Sequence, residues 1–562
     1  MVRRFLGAAL VPLGFATLLH AAPMLRLATS TVVPVPLPVG ANGGTQVVEA
    51  YNAGDGSLSL NIGASVSWIV TTIGSPRACT TTTAAATCIP LQMALNTSGL
   101  AAGTYTASVT VGGTPDVVDA PQTITVTVQI GPLTVYVAPN TTSDVPFSTN
   151  HPLTEVATTQ DGNHWLSLAL SGGGSFRFTY PYSVHVAPPA SMAQGTYTGS
   201  LVTSGSSFAP DNQTISVTMH ITTQPIAQPS PSQVTARLAQ GAAPLPMQIS
   251  LNNVGQGSLS LGTVSATTTD GGKWLTATPN SGGWAAITLD PGTLAPGYYT
   301  GSVSIASNAA NGTVSVPVSF QVVAKSAPYA YYKGVVDNAI FGVDGGAVAP
   351  GDIVDVFGEQ FWFASTIAFS PGVPLATQIT ASGPTSSSVL VNGTAAPLYF
   401  TSYSQIAFQV PLETPVGTAQ VQVQRDGLSG NTVSVQVVAR APRILVIVNP
   451  DTSVPSSAHP VKAGDTVIIY SIGLGPTSTA VATGAPAPSS PLPKLTTTPV
   501  VQFGSGLFGT TSVTPSYSGL SPGSVGLYQV NVAIPAGLSS GLVNVTLVFP
   551  DSVSNTIQLA VQ

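Results

Sequence analysis

Three similar units of about 100 residues follow one another in the first half of the chain, and each contains a segment in which hydroxyl-bearing and aliphatic residues alternate. These segments are residues 123–128, 214–219 and 314–319. Because successive side chains of a β-strand point to opposite faces, such alternation predicts an antiparallel strand with one buried face. A period near 100 residues is that of a whole domain and too long for a solenoid repeat. The repeats therefore predict a string of β domains.

Each unit also has a tryptophan near the start of a strand and a tyrosine after a glycine turn. The tryptophans are Trp68, Trp165 and Trp274, and the tyrosines are Tyr105, Tyr197 and Tyr299. Gly-rich turns separate the strands at the spacing typical of a β-sandwich. We interpret the tryptophans as core anchors between two sheets and the tyrosines as structural corner residues. A ligand-binding role for the tryptophans is the alternative.

The second half of the chain contains a different pair of similar segments. Both begin with Gly-Asp-x-Val, at residues 351–354 and 464–467. Both continue to a Gln-containing strand that ends in proline, at residues 405–411 and 528–535. A glycine and a last alternating strand follow in each. This order indicates an internal duplication of about 115 residues, and hence two further β domains.

Composition supports strands throughout and excludes several classes of protein. Only 6% of the 562 residues are charged and 43% are hydrophobic, whereas a soluble protein has about 25% charged residues. Exposed helix faces are normally filled by Glu, Lys, Gln and Arg, which are scarce here. Disorder goes with low hydrophobicity and high net charge. Because the chain has only 14 Lys and Arg residues, it cannot form the basic stripe of a nucleic-acid-binding protein.

The predicted fold class is all-β, with about five tandem immunoglobulin-like β-sandwich domains after an N-terminal signal peptide. The predicted segments are a signal peptide at 1–21, three repeats at 22–131, 132–224 and 225–324, and two C-terminal sandwiches at 325–440 and 441–562.

The N-terminus has the three parts of an export signal. Arg3 and Arg4 are positively charged, residues 5–19 are apolar, and Ala21 offers a small residue for cleavage. An uncleaved membrane anchor is the alternative, but the apolar run is short for a span. No later stretch is long and apolar enough to predict a transmembrane segment, so we expect a secreted or cell-surface protein. In an oxidising compartment Cys79 and Cys88 predict a local disulfide, with metal binding as the alternative.

The first half resembles BACON-type immunoglobulin-like domains over about residues 30–324. The resemblance rests on the Trp-Leu strand start, the Gly-Thr-Tyr-Thr-Gly-Ser element at residues 195–200 and the terminal Thr/Val strand. It implies a spacer role or binding of carbohydrate or mucin. The second repeat lacks the Gly-x-Gly-Ser-Leu-Ser-Leu segment of the other two, and the first has an additional insertion bounded by Cys79 and Cys88.

The second half resembles a C-terminal domain family of unknown function from acidobacterial secreted proteins, over about residues 334–562. The similar motifs include residues 348–352, 396–399, 473–476 and 526–532. The Gly-Asp-x-Val openings are also similar to those of IPT/TIG domains of cell-surface proteins. The resemblance implies export and a position at the C-terminus of surface proteins, and it supplies no catalytic residues.

The sequence predicts no catalytic residue, no metal site and no cofactor. No histidine pair has a metal-binding spacing. The densest acidic group is Asp337, Asp344, Asp352 and Asp355, for which turn capping is the interpretation and a cation site the alternative. Two Gly-x-Ser-x-Gly matches, at residues 519–523 and 537–541, have no helical pattern after them, and Pro522 has no N–H to donate to an oxyanion.

Two aromatic features suggest a binding role. Trp284 lies in a predicted flexible turn, residues 281–284, outside the repeated tryptophan position. Trp362 lies between two phenylalanines, near Tyr331 and Tyr332 in the sequence. Exposed aromatic rings stack on sugars or anchor protein interfaces, and burial beneath a loop is the alternative. We therefore take Trp284, Trp362, Tyr331 and Tyr332 as candidate ligand-binding residues.

Three functions follow as hypotheses. The first is a noncatalytic structural and adhesive protein with weak carbohydrate binding, whose partners are extracellular polysaccharides or surface proteins. The second is a pure spacer or matrix-assembly protein without a small ligand. The third, an extracellular hydrolase on a β scaffold, would need paired carboxylates in a cleft.

Overall fold

The computed structural model describes residues 23–114, 117, 120–149, 151–170, 180–340, 346–381, 385–505 and 509–562. Within these ranges the regular structure consists of 42 β-strands and one 3-10 turn, Ala209–Asp211. The prediction of an all-β fold is therefore confirmed. The predicted signal peptide lies outside the described residues. The chain divides into two compact units, of which unit 1 ends at Thr222 and unit 2 begins at Thr223.

Unit 1 begins with a sandwich of two sheets, β1-β3-β7-β5 (with β6 paired to β7) and β2-β9-β8-β4. Its strands are β1 Leu25–Leu27, β2 Thr31–Val32, β3 Gln46–Asn52, β4 Leu60–Ala64, β5 Ile69–Ile73, β6 Arg77–Ala78, β7 Thr87–Leu95, β8 Gly103–Gly113 and β9 Gln122–Ile130.

The second sandwich of unit 1 pairs the sheet β10-β16-β15-β12 with the sheet β11-β14-β13. Its strands are β10 Leu133–Val137, β11 Ser143–Thr149, β12 Thr154–Thr159, β13 Leu166–Leu170, β14 Tyr180–Val186, β15 Gly195–Ser204 and β16 Thr214–Ile221.

Unit 2 opens with a third sandwich, made of the sheets β17-β19-β22-β21 and β18-β24-β23-β20. Its strands are β17 Ala227–Ser230, β18 Val234–Ala239, β19 Leu245–Asn253, β20 Leu261–Thr268, β21 Leu275–Pro279, β22 Trp284–Leu289, β23 Gly297–Ser307 and β24 Val314–Val323.

The fourth sandwich contains the sheets β25-β26-β32-β31-β27 and β28-β29-β33-β34, with β30 paired to β29. Its strands are β25 Tyr329–Asp337, β26 Ile353–Glu359, β27 Ile367–Phe369, β28 Gln378–Thr380, β29 Ser386–Val391, β30 Thr394–Ala395, β31 Leu398–Ser402, β32 Gln405–Gln409, β33 Gly417–Arg425 and β34 Leu428–Val437.

The fifth sandwich contains the sheets β35-β36-β40-β39 and β38-β37-β41-β42. Its strands are β35 Arg443–Val448, β36 Thr466–Ile472, β37 Val500–Ser505, β38 Gly509–Val513, β39 Tyr517–Leu520, β40 Tyr528–Ala533, β41 Gly541–Val548 and β42 Ile557–Val561.

The three repeats share one topology as well as one sequence pattern. In each repeat, an early strand pairs in parallel with the last strand. These pairs are β2 with β9, β10 with β16 and β18 with β24. The alternation predicted from the sequence is visible in β9, where Ile124, Val126 and Val128 are fully buried and the threonines between them are half-buried. Each such aliphatic side chain contributes about 1.5–3 kcal/mol of transfer free energy to the core.

The repeated tyrosines and two of the tryptophans hold local structure. In all three repeats the tyrosine hydroxyl donates to the carbonyl four residues earlier, at 3.1, 3.0 and 2.8 Å for Tyr105, Tyr197 and Tyr299. Trp165 and Trp274 are buried, which confirms their interpretation as core anchors, whereas Trp68 is only half-buried. The prediction of corner tyrosines is confirmed as well.

Trp68 is less buried than the other two tryptophans because the first repeat lacks the aspartate that accepts the indole N–H and the glycine beside the ring. The buried indoles donate to the aspartate four residues earlier, as Trp274 Nε1 does to Asp270 Oδ1 at 3.0 Å. A Cβ on Gly301 would lie 2.5 Å from a backbone oxygen and 3.4 Å from the Trp274 ring, so the ring packs where only glycine fits. The equivalent residues of the first repeat are Ala64 and Ala107, which provide neither the carboxylate nor the space.

Buried apolar side chains of the described residues form five cores, one in each sandwich. Some buried residues pack into the core of a neighbouring sandwich. Val35, from the first repeat, joins the core of the second sandwich, and Phe363, from the fourth sandwich, joins the core of the third. In each unit, a side chain of one sandwich therefore packs into the core of a neighbouring sandwich. No helix in the described ranges has the length and hydrophobicity that a membrane span requires.

Candidate functional site

Trp284 lies on the outer face of the third sandwich. It begins β22, an inner strand of its sheet, between β19 and β21. Ala285, Ile287 and Leu289 of the same strand are buried in the core, so the alternate residues, beginning with Trp284, face outward. The indole is half-buried. The prediction of a turn at Trp284 is wrong, because the residue begins a strand. Its position is accessible, and its role as a ligand contact stays a prediction.

The side chains around Trp284 are polar and uncharged. Ser250 of β19 is its direct cross-strand neighbour, and Ser230 of β17 lies beyond Ser250 in the same row. Gln248 Nε2 donates to Ser250 Oγ at 3.0 Å. We name this surface, formed by Trp284, Ser250, Ser230 and Gln248, the Trp284 face. A single aromatic ring beside hydroxyl and amide groups can stack on a sugar and hydrogen-bond its hydroxyls.

Trp362 is not a surface residue, and its prediction as a ligand contact is wrong. Its side chain is 1% exposed within the core of the fourth sandwich, and its Nε1 donates to Ser365 Oγ at 3.0 Å. Phe361 is fully buried beside it. The physical reason is that the Phe-Trp-Phe run lies where two sandwiches meet, so all three rings find apolar neighbours. Burial, the alternative considered from the sequence, is what the structure shows.

Tyr331 and Tyr332 are 37% and 38% exposed on the edge strand β25, where the register shifts between Ala330 and Val335. Tyr331 donates its hydroxyl to Glu359 Oε1 at 3.1 Å. Burial and the negative charge of Glu359 raise the pKa of Tyr331 far above its usual value. Tyr331 is therefore held by an internal partner, whereas the ring of Tyr332 lies 5.8 Å from Lys333 Nζ. Their role as ligand contacts stays a prediction.

Cys79 and Cys88 form a disulfide, with an S–S distance of 2.04 Å. The residue that organises the loop between them could not be identified from the sequence. Glu49 of β3 is fully buried, and its two carboxylate oxygens accept hydrogen bonds of 2.6–3.0 Å from the N–H and hydroxyl groups of Thr80 and Thr81. Arg77 Nη2 lies 3.0 Å from Glu49 Oε1.

Glu49, Cys79 and Cys88 lie close enough together to suggest a metal site. The chemistry does not fit, because metal-binding cysteines must be thiolates and these two are joined in a disulfide. The carboxylate already has hydrogen-bond donors on both oxygens. Burial raises the pKa of Glu49, but the hydrogen bonds from Thr81 and Thr80 together lower it by more than burial raises it. The pKa of Glu49 therefore lies below the usual value. The cluster is a structural anchor.

The acidic group predicted to cap turns lies at the junction of the fourth and fifth sandwiches. Asp344 is outside the described residues, and Asp337, Asp352 and Asp355 are all buried. Each carboxylate accepts internal hydrogen bonds: Asp337 from the N–H groups of Ala339 and Ile340, Asp352 from those of Ala349 and Ile353, and Asp355 from the side chains of Asn338 and Gln405.

Burial dominates the electrostatics of Asp352. It raises the pKa of this carboxyl to about 8, against the lowering effect of the Ala349 N–H, while Asp337 raises it further. Arg443, which lowers it, is paired with Asp337 at 3.4 Å. These carboxylates hold loops and a linker in place, which agrees with the capping interpretation.

The two Gly-x-Ser-x-Gly segments lead into strands. Residues 519–523 precede β40, and residues 537–541 precede β41. Ser521 is 6% exposed, and its N–H donates to the carbonyl of Leu527 at 2.8 Å. A nucleophile elbow needs an exposed serine at a strand-to-helix turn. The geometry of these segments is that of β-turns between strands.

Comparison with known proteins provides no family assignment. No family model matches the chain, and no curated protein is significantly similar to it. Structural similarities include the extracellular domain of protocadherin GammaB4, with 13% identity over 96% of this chain and 84% of that chain and a TM-score of 0.16. Drosophila N-cadherin EC1-4 has 11% identity over 73% of this chain and 100% of that chain, with a TM-score of 0.19.

An endo-fucoidan hydrolase of glycoside hydrolase family 107 is also similar, with 11% identity over 54% of this chain and a TM-score of 0.15. This chain covers 45% of the length of that hydrolase. TM-scores this low support no conclusion about fold or function. The assignment of tandem immunoglobulin-like β-sandwiches therefore rests on the sheets themselves.

Proposed function

We propose that this protein is a noncatalytic, exported structural and adhesive protein, secreted or displayed at the cell surface. The observation that supports this best is the construction of unit 2, where Arg237, Arg425 and Arg443, three of its few charged residues, lie at the junctions between consecutive sandwiches. Sandwiches fixed at their junctions resist bending within the unit, which suits a structural role. The predicted signal peptide and the resemblance to exported families support the location.

Arg425 fixes the linker between the third and fourth sandwiches. Its guanidinium is fully buried and donates to the carbonyls of Gln360 and Ser326, at 2.5 and 2.7 Å. It also lies 4.4 Å from the ring of Phe363, the residue that enters the core of the third sandwich. The side chain of Gln360 makes three more hydrogen bonds to the linker: it accepts from the N–H of Ser326 and donates to the carbonyl of Ala324 and to Ser326 Oγ.

A second group of contacts joins the same two sandwiches. Arg237 of β18 forms an ion pair with Glu359 of β26, which also accepts the hydroxyl of Tyr331. The N–H of Ala239 donates to the hydroxyl of Tyr403 at 2.8 Å. Both charged groups of the pair are mostly shielded from solvent, so salt screens their attraction less than that of a surface pair.

The junction of the fourth and fifth sandwiches is built in the same way. Arg443 pairs with the buried carboxylate of Asp337, across 106 residues of sequence. Further hydrogen bonds cross the junction. They include Tyr399 hydroxyl to Val525 carbonyl at 2.5 Å, Gly484 N–H to Gln409 Oε1 at 2.7 Å and Leu412 N–H to Thr483 Oγ1 at 3.0 Å.

The Trp284 face supports the adhesive part of the proposal. We expect Trp284→Ala to weaken retention of the intact protein on a polysaccharide by about threefold to tenfold, since an aromatic stacking contact contributes roughly 0.5–1.5 kcal/mol. Affinity gel electrophoresis against a panel of soluble polysaccharides measures this loss. Trp284→Phe should keep part of the retention, because an aromatic surface remains.

Thr288→Ala is the matched control, because Thr288 lies on the same strand and face as Trp284, four residues further along. If the Trp284→Ala and unaltered proteins are retained equally, the proposal that the Trp284 face binds carbohydrate is contradicted. A chain that no polysaccharide retains would favour the second hypothesis, a pure spacer.

A further inference from the structure

Unit 1 contains a cavity of about 480 Å³ between its two sandwiches. One wall comes from the first sandwich, with residues of β3 and of the disulfide-bounded loop. The other comes from β11 and β14 and the 3-10 turn of the second sandwich. The volume lies within the range of small-molecule sites, about 300–1,000 Å³.

The disulfide-bounded insertion builds the first wall. Thr80 and Thr81 line the cavity, and both are fixed by the buried carboxylate of Glu49 behind them. The second and third repeats have no such insertion. The feature that distinguishes the first repeat thus supplies a wall of this cavity, and a buried charge and a disulfide hold that wall in place.

The second wall is held just as firmly against the first. The N–H of Ser148 donates to the carbonyl of Val33 at 2.8 Å, which joins the two sandwiches at the cavity edge. A Cβ on Gly44 would lie 2.4 Å from Pro210 and 2.7 Å from the ring of Phe208, so the backbone of the first sandwich packs directly on the second. A site whose walls are fixed before binding avoids the cost of ordering them.

The lining is about half polar and half apolar, with Val32, Val47, Val48 and Pro181 among its apolar residues, and its charged groups are paired. Seven of the lining residues have hydroxyl groups: Thr29, Thr31, Thr45, Thr80, Thr81, Ser148 and Thr149. The charged and titratable residues have internal partners: Arg77 is paired with Glu49, Asp211 accepts from Ser206 Oγ at 2.8 Å, and His151 Nδ1 lies 3.1 Å from Ser207 Oγ. Gln46 adds an amide and Phe208 an aromatic ring.

We propose that this cavity is a binding site for a neutral oligosaccharide segment. Several lining groups already donate to internal acceptors and so offer their oxygens to a ligand; these are Thr29, Thr80, Thr81, Thr149 and Gln46. A lining of acceptor oxygens matches a ligand whose hydroxyl groups donate. The ring of Phe208 offers an apolar surface for a sugar face. An acidic sugar would need an unpaired cation, and the only arginine in the lining is already paired with Glu49. The site is separate from the Trp284 face, which lies in the other unit.

The test uses the intact protein and a panel of neutral oligosaccharides of two to four sugars, namely β-1,4-glucan, β-1,3-glucan, α-1,4-glucan, β-1,4-mannan and β-1,4-galactan. Binding is measured by isothermal titration calorimetry, with tetragalacturonate as the acidic probe. Thr45 lines the cavity and is exposed, so Thr45→Trp narrows the cavity without changing a core. Thr142→Trp is the control, at an exposed threonine of the same unit that does not line the cavity.

We expect at least one neutral probe to bind. Thr45→Trp should weaken the affinity for that probe by about tenfold or more, which corresponds to roughly 1.4 kcal/mol. Thr142→Trp should change the affinity by less than about twofold. Trp284→Ala should leave this binding intact, which separates the cavity from the proposed function. Three results would overturn the proposal: no neutral probe binds, only tetragalacturonate binds, or Thr45→Trp has no effect while Trp284→Ala abolishes binding.

Discussion

Replacing Arg425 by alanine is expected to lower the free energy of unfolding of unit 2 by about 3–5 kcal/mol, because two buried hydrogen bonds from a charged group contribute about 1.5–3 kcal/mol each. The substitution leaves two carbonyls in the linker region, those of Gln360 and Ser326, without their donor. It also opens a space above Phe363. Both effects fall on the junction between the third and fourth sandwiches.

Urea unfolding of the full chain followed by circular dichroism measures this loss. Lys462→Ala provides the control, because Lys462 is an exposed cation of the same unit, and its loss should cost less than about 0.5 kcal/mol. Arg425→Lys should recover only part of the stability, since an ammonium group cannot reproduce the planar fork of donors. A loss from Arg425→Ala as small as that of the control would show that Arg425 does not hold the junction.

Glu49→Gln is expected to destabilise unit 1 by about 3 kcal/mol at neutral pH. The amide keeps the shape of the side chain, but it loses the charge that faces Arg77, and its NH₂ group then faces donors from Thr80 and Thr81. Hydrogen bonds to charged groups contribute about 1.5–3 kcal/mol each, and a mismatched buried group adds its own cost.

The pH dependence of this effect has a defined sign. The pKa of Glu49 is lower in the folded chain than in the unfolded chain. Its stabilising contribution is therefore fully present above the unfolded carboxyl pKa and is lost as the pH falls through the folded pKa. The stability difference between the unaltered protein and Glu49→Gln should shrink in acid.

Urea titrations at neutral pH and at several acidic pH values test this prediction. Asp55→Asn is the control, because Asp55 is an exposed carboxylate in the same sandwich. A stability gap that stays constant as the pH falls would contradict the role assigned to the Glu49 charge.

The architecture of the repeats was predictable from local sequence. The alternation in β9 and the repeated glycine–tyrosine element each depend on residues a few positions apart, so a single sequence shows them. Local pattern was therefore sufficient for the strands of the repeats. It did not place Trp284, which was predicted in a turn and begins a strand whose buried side is residues 285, 287 and 289.

The junctions were not predictable, because their partners are far apart in sequence. Arg237 and Glu359 are separated by 122 residues, and no periodicity relates them. Trp362 was misplaced for the same reason: the residues that bury it come from other strands of its sandwich, which a local reading cannot identify. Glu49 was not identified from the sequence either, because its partners Thr80 and Thr81 lie about 30 residues away, in the loop between Cys79 and Cys88.

Amide hydrogen exchange on the intact protein tests most directly whether the junctions of unit 2 are fixed. The informative amides are those whose hydrogen bonds cross or fix a junction: Ala239 to Tyr403, Ser326 to Gln360 and Gly484 to Gln409. We expect these three amides to exchange orders of magnitude more slowly than an unstructured peptide, at rates close to those of the neighbouring strands. Exchange at the rate of an unstructured chain at these positions would show freely moving sandwiches and would contradict the proposal of a stiff structural protein.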